Sequence, residues 1–389
     1  MARKHKFLSS LFVVIIFIFG LYSLKNSFDK FKTFNSEFKT EEQIKSTISN
    51  IELTYSDNFI FHDKFMNAYG LTQRLLNRYV IGNGDIYSDK QHKLHFYEES
   101  YDITSFINNA SKLKEIIESI GIPFLYVATP SKTIDGYTEL PDSININANT
   151  NLDLFVSAMH ENSVNVLDLR NRIIEDKVSA RNLFYATDHH WTNEAAFWAY
   201  CNIIGEINKL TNLSVDSENY YTNIGNYNIK IYKNRFLGSQ GIRIGSWYVG
   251  KDDFSLIHPK FDTDYEYTHI NGNNLDYYKG DFLNALMDVE LLDGDMVNAY
   301  LANLRGGWSE NIIINNKSIN ELKVLLIADS FGRAITPYLS TCFRETRYID
   351  PQPGRFNDDI IKYINEYKPD VIVAMFNGEC SWVEVNIGE

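Results

Sequence analysis

The sequence predicts an α/β protein with a largely parallel sheet and helices on both faces. Three observations lead there. Short apolar runs of strand length alternate with segments of helical period between residues 109 and 168, and again between 323 and 375. The runs are rich in Val, Ile and Leu, as strands covered on both faces require. Polar residues stand at the ends of several of these runs, where open α/β sheets bind their ligands.

The chain begins differently. Arg3, Lys4 and Lys6 precede an uncharged apolar run from Phe7 to Leu24. That run reaches the short end of the roughly 17–25 residues a membrane-crossing helix needs. It ends Leu21-Tyr22-Ser23-Leu24-Lys25 without a small-x-small cleavage site, which favours an uncleaved transmembrane anchor over a signal peptide. The basic N-terminal flank favours N-inside, with the body outside the cytoplasm, against the pull of Lys25, Lys30 and Lys32. The layout expected is an anchor at 1–30, a polar stalk at 31–74, and an α/β domain at 75–389.

Within the domain, the Gly82-Asn83-Gly84 turn between Tyr79–Ile81 and Asp85–Tyr87 reads as a hairpin. Asn109–Ile120 is helical by period, with Leu113, Ile116, Ile117 and Ile120 on one face and Gly121 as its stop. Pro123–Ala128 is a buried strand. A helix near Asn151–Glu161 and a strand at Val164–Asp168 follow. Thr192 is placed to cap a helix whose first turn holds Glu194. Residues 211–323 are rich in Tyr, Asn, Gly and Asp, with short alternating runs, and read as a β-rich antiparallel insertion or lid. Alternation resumes with strand Lys323–Ala328, a helix from Arg333, strand Thr346–Ile349, helix Asp358–Tyr367 and strand Asp370–Met375.

The net charge of −13, with no Lys/Arg cluster beyond the first residues, argues against a nucleic-acid partner. Cys201, Cys342 and Cys380 are too far apart for a zinc or CxxC pattern. Cys201 reads as a core residue, and a Cys342–Cys380 disulfide stays open.

The most informative segment is Tyr185-Ala186-Thr187-Asp188-His189-His190-Trp191-Thr192. In an extended strand, Asp188 and His190 share a side and His189 points away. A carboxylate so placed can hold one imidazole nitrogen while the other faces a nucleophile. The candidate nucleophile is Ser330, in Ala328-Asp329-Ser330-Phe331-Gly332, at a strand end before a helix whose N-terminal amides could receive an oxyanion. Ser330 equally suits a helix cap, Asp188 a turn, and Asp168 a helix-capping acid. Diverging neighbours make Asp188, His189 and His190 a poor set for one metal, and neither metal nor cofactor is expected. Asn377, shortly after strand Asp370–Met375, offers an amide donor or an Asn-Gly turn. The loop holding Gly238 and Ser239 offers backbone amides. Lys132, after Pro130-Ser131, is a site cation or a solvated lysine.

Taken together, Thr187-Asp188-His189-His190-Trp191-Thr192 upstream of Ala328-Asp329-Ser330-Phe331 resembles the bacterial DHHW proteins. It is also similar to the alginate-acetylation type of SGNH-hydrolase-like acetyltransferases. Pro130-Ser131-Lys132, Val166-Leu167-Asp168-Leu169-Arg170 and Lys368-Pro369-Asp370-Val371-Ile372-Val373 add to the likeness, over roughly residues 75–380. The resemblance implies a flavodoxin-like three-layer sandwich and a triad of Asp188, His190 and Ser330, with Trp191 and Lys132 in support. Ala328 departs from the usual Gly-Asp-Ser pattern. The resemblance further implies O-acetylation of an extracytoplasmic polysaccharide through an acyl-serine, with an acetyl donor and a multi-spanning membrane O-acyltransferase as partners. A carbohydrate esterase with the same triad, and a non-catalytic polysaccharide-binding protein, are the alternatives.

Overall fold

Alternating side chains along each central strand divide the core in two. In the computed structural model, Phe124–Ala128 sends Phe124, Tyr126 and Ala128 to one face and Leu125 and Val127 to the other. Lys323–Ala328 and Val371–Phe376 divide in the same way. Helices Thr104–Ser119, Thr150–Glu161 and Ile360–Tyr367 cover the first face, and Asn193–Thr211 and Gly332–Cys342 the second. The structure describes residues 2–377 except 32–46, 49–50, 52–53, 56–58, 98–101, 120, 143, 145–148, 180–181, 212, 273, 295–297, 353–354 and 357–358.

In chain order the strands are Val80–Ile81 (β1), Ile86–Ser88 (β2), Leu94–Phe96 (β3), Phe124–Ala128 (β4), Val166–Asp168 (β5), Tyr227–Phe236 (β6), Asp252–Pro259 (β7), Tyr265–Asn271 (β8), Asn274–Gly280 (β9), Glu310–Asn315 (β10), Lys323–Ala328 (β11), Glu345–Ile349 (β12) and Val371–Phe376 (β13). The main sheet runs β5-β4-β13-β11-β12-β10-β8-β9. Its first five strands are parallel. The last three are antiparallel, and β10 joins them to β12 with Glu310 opposite Ile349.

Part of the β-rich insertion therefore extends the main sheet. Its strands β8, β9 and β10 continue the parallel sheet, while β6 and β7 form a separate two-stranded arm with a bulge between Tyr232 and Phe236. The expected hairpin pairs Val80 with Tyr87 and gains β3 as a third strand. Thr192 does cap its helix, accepting from the Ala195 amide at 3.2 Å.

The N-terminal helix Ala2–Phe31 contains an apolar stretch, Ser10–Phe28, long enough to cross a membrane by length and composition. It fits a membrane anchor or a signal sequence. Within the span expected as a stalk, His62–Leu75 is a helix packed on Ser239–Ile244 and Ser246–Val249. Asn67 Oδ1 accepts the Ser246 amide at 2.7 Å, and a Cβ at Gly70 would collide with the Ile244 carbonyl. Cys201 and Cys342 carry free thiols, and Cys380 lies outside the described residues.

Candidate active site

Two backbone features bring the sequence-distant groups together. The first is the link from β11 to helix Gly332–Cys342. Asp329 accepts the Phe331 amide on Oδ1 at 2.9 Å and the Asn377 amide on Oδ2 at 2.8 Å. Its carbonyl takes the Tyr348 hydroxyl at 2.9 Å. This buried carboxylate ties the ends of β11 and β13 and fixes the next residue, Ser330. Gly332 permits the close turn, since a Cβ there would press on Ala328 and Tyr348.

The second is the segment Leu183–Thr192, closed by Tyr185 N–His190 O and Thr192 N–Leu183 O hydrogen bonds and bent at its tip. Asp252, at the start of β7, accepts the Ala186 amide, the Thr187 amide and the Thr187 hydroxyl at 2.6–2.8 Å. The tip carries Asp188 and His190.

The geometry at the junction is compact. His190 Nδ1 meets Asp188 Oδ1 at 2.5 Å, and His190 Nε2 meets Ser330 Oγ at 2.7 Å. Asp188 also accepts the His190 amide at 3.0 Å and, on Oδ2, the Ser239 amide at 2.7 Å. Asp188 is 1% exposed and His190 is 8% exposed. The His190 ring lies between His189 and Tyr300, each with its centroid 3.9 Å away. The Tyr300 hydroxyl donates to the Ser330 carbonyl at 2.9 Å.

Electrostatics separate the two groups. Burial alone would raise the Asp188 pKa, but the charge and hydrogen bond of His190, with His189, hold it well below the usual carboxylate value. Burial lowers the pKa of His190, and Arg333 and Arg355 add to that, against the pull of Asp188. The arrangement is an ionised carboxylate, a neutral imidazole and a hydroxyl in line. Such a chain can move a proton off Ser330 and return it.

Three expectations need correcting. His189 does not turn away, because the tip bends rather than running extended. Its Nδ1 meets Ser239 Oγ at 3.2 Å and lies 3.7 Å from Asp188 Oδ1. Gly238 and Ser239 do not offer amides to an oxyanion, since Gly238 N donates to Thr187 Oγ1 at 2.9 Å and Ser239 N to Asp188. The helix amides are also engaged: Phe331 and Gly332 donate to Asp329, and Arg333 to the Ser330 carbonyl. The Ser330 amide itself has no acceptor among the described residues.

Other candidates fall as follows. Trp191 is 1% exposed and packs 5.2 Å from Phe331. Lys132 is buried and donates through Nζ to Asp188 O, Gln240 Oε1 and Ala186 O at 2.7, 3.1 and 3.4 Å. Asp168 caps Leu169–Glu175 and pairs with Arg170. Ligand atoms of Asp188, His189 and His190 lie within 4.8 Å of one another. Both His190 nitrogens are engaged by Asp188 and Ser330, and His189 Nδ1 by Ser239, so the cluster is built as hydrogen-bond partners. Sequence reading missed Tyr300 and Asp252, which no motif surrounds, and the side-chain role of Gln240 in the Gly238–Ser239 loop; only the fold shows what they touch.

Comparison with known proteins bears on the fold and the family likeness. Residues 91–228 match the family model of the SGNH hydrolase-like domain, acetyltransferase AlgX. That stretch contains Asp188 and His190 and stops short of Ser330, which the fold supplies. Among solved structures, Bacillus cereus PatB1 with a sulfonyl adduct is similar at 20% identity and a TM-score of 0.61, over 75% of this chain and 93% of that one. A DHHW family protein from Eubacterium siraeum is similar at 16% identity and a TM-score of 0.56, over 78% and 92%. No curated protein matches. The fold is SGNH-like, and the chain is similar to SGNH-like acetyltransferases and to a DHHW protein, as its motifs imply.

Proposed function

We propose that this protein is a membrane-anchored, extracytoplasmic O-acetyltransferase that moves an acetyl group through Ser330 to a polysaccharide hydroxyl. The observation that carries the reading is the contact of His190 Nε2 with Ser330 Oγ at 2.7 Å, with Asp188 on the other ring nitrogen. The match to an acetyltransferase domain supports the choice of acyl group.

Ser330 Oγ attacks the acetyl carbonyl of the donor as its proton passes to His190 Nε2. Asp188 holds the Nδ1–H tautomer and stabilises the imidazolium. The tetrahedral intermediate collapses with loss of the donor oxygen, which leaves with the proton from His190. Acetyl-Ser330 then meets a sugar hydroxyl, whose proton His190 takes as its oxygen bonds to the carbonyl carbon. Collapse expels Ser330 Oγ, which recovers its proton. The Ser330 amide, with the Asn377 side chain as a second donor, receives the oxyanion, a contribution worth roughly 10²–10³ in rate per donor. A multi-spanning membrane acyltransferase would deliver the acetyl group.

PatB1 has been obtained as a sulfonyl adduct. The direct test is therefore to treat this protein with a sulfonyl fluoride and map the modified residue by mass spectrometry. Modification of Ser330, lost in His190→Ala, is the expected result. Acetyl release to glycan then supports transfer, whereas free acetate alone supports an esterase. An unmodified Ser330 overturns the acyl-serine mechanism.

A further inference from the structure

Trp308 is 40% exposed and sits on the link between the turn Leu304–Gly306 and β10. Single exposed apolar residues are ordinary. What sets this one apart is the backbone that presents it. Four of the six residues from Leu304 to Ser309 have positive φ: 47° at Leu304, 49° at Arg305, 72° at Gly306 and 70° at Ser309. Three of those carry a Cβ, and such conformations persist only where the surroundings impose them, typically at ligand-binding positions.

The surroundings do impose them. Arg333, 7% exposed, donates from Nε to the Gly307 carbonyl at 3.0 Å. A Cβ on Gly307 would overlap Asn311 and the Tyr267 hydroxyl. The Ser309 carbonyl accepts the Asp350 amide at 2.9 Å, and His269 Nε2 lies 3.1 Å from the Trp308 carbonyl. The indole is thus held on a rigid support.

Arg355 completes the surface. Its guanidinium lies over one face of the Trp308 ring, 5.3 Å from the centroid, and pairs with the fully buried Asp350. Asp350 directly follows β12, which pairs in parallel with β11, placing Ile349 beside Ile327. The Asp350–Arg355 corner is therefore at the same end of the sheet as Ser330, one strand over. The charge of Arg355 reaches His190.

We infer that Trp308 and Arg355 form the acceptor subsite, with the indole face turned away from Arg355 receiving the C–H face of a neutral pyranose and Arg355 donating to its hydroxyls at the ring edge. The inference rests on the acetyl-transfer reading of Ser330. An aromatic ring beside fixed N–H donors matches the amphipathic faces of a sugar. Neutrality follows from two observations. The Arg355 charge is already balanced by Asp350, and the chain's net charge of −13 repels a polyanion.

The test is calorimetric titration of the full chain in detergent with cellopentaose and chitopentaose, and with a pentameric galacturonate as the anionic counterpart. Wild type should bind at least one neutral probe more tightly than the galacturonate. Trp308→Ala should weaken that binding by about tenfold or more, whereas Trp308→Phe should keep most of it. Trp247→Ala, which removes an exposed tryptophan on helix Ser246–Val249, should bind as wild type does. Equal binding by wild type and Trp308→Ala, preference for galacturonate, or wild-type failure with both neutral probes overturns the inference. Sulfonyl labelling of Ser330 keeps the two ideas apart. Binding lost in Trp308→Ala with an inert Ser330 would retain the sugar platform and remove acetyl transfer.

Discussion

Lys132 Nζ donates to the main-chain oxygen of Asp188 at 2.7 Å, from a position 56 residues earlier in the chain. The same ammonium reaches Gln240, which follows the Ser239 amide that holds Asp188 Oδ2. One buried cation therefore joins the end of β4, the acid-bearing tip and the Gly238–Gln240 turn. Burial pushes its pKa down to about 7, against Asp252 and Asp188, which hold it up.

Lys132→Met should lower acetyl-ester turnover by roughly 10²-fold, the order expected when a catalytic group loses its exact placement. It should also change how stability responds to pH. The folded pKa of about 7 lies below the unfolded value, so the unfolded chain binds more protons between them. Wild-type stability therefore gains from this group as pH rises from about 7 toward 10. Melting temperatures across that range should rise less steeply in Lys132→Met. Parallel curves would show that Lys132 keeps an ordinary pKa in the fold.

Ser330, His190 and Asp188 should behave as one unit. Ser330→Ala and His190→Ala should each reduce turnover of an acetylated chromogenic phenol by roughly 10³-fold or more, and the double variant should be no worse than either. Asp188→Asn should cost roughly 10⁴-fold through the wrong imidazole tautomer. Additive losses in the double variant would mean that His190 does not act through Ser330.

The acid limb of the rate should report His190. Burial, Arg333 and Arg355 lower its pKa, so the neutral base persists below the ordinary histidine value of 6.5. The rate should hold as pH falls through 6.5 and drop only below it. Removing a nearby cation raises that pKa, so Arg355→Gln should move the limb upward. A wild-type limb above 6.5 would contradict the assignment.

The topology of the chain is a separate prediction. With Ser10–Phe28 as an anchor, the basic residues before it would put the body outside the cytoplasm. A reporter fused at residue 60 should be active only as an extracytoplasmic enzyme. Cytoplasmic activity would remove both the anchor orientation and the polysaccharide acceptor.

Much of the fold was legible because period-2 and period-3.6 patterns are local. Val324–Ala328 and Val371–Phe376 are buried on both faces and read as central strands from composition alone. The role of β10 was not legible. Its Ile312, Ile313 and Ile314 show a strand, but pairing with β12 rather than with a separate lid is a long-range choice. At the site, Asp188, His190 and Ser330 stood out by motif. Tyr300 and Gln240 did not, because stacking on His190 and accepting from Lys132 exist only after folding. The oxyanion expectation failed for a related reason. Backbone amides carry no sequence signal of whether they are already spent, and those of Gly238 and Ser239 are.

Gly238 offers the sharpest steric test of the acid's placement. Its φ is −79°, so any residue could adopt its backbone. The constraint is space, since a Cβ there would overlap the Asp188 side chain. Gly238→Ala must therefore push Asp188 or the turn aside, stretching the Ser239–Asp188 and Gly238–Thr187 hydrogen bonds. Overpacking of this kind costs about 1–3 kcal/mol, visible as a lower melting temperature. The loss of turnover should be larger than that cost suggests, roughly 10²-fold at temperatures where the variant is fully folded, because a displaced Asp188 no longer orients His190. A folded Gly238→Ala with wild-type turnover would show that the position of Asp188 does not govern Ser330.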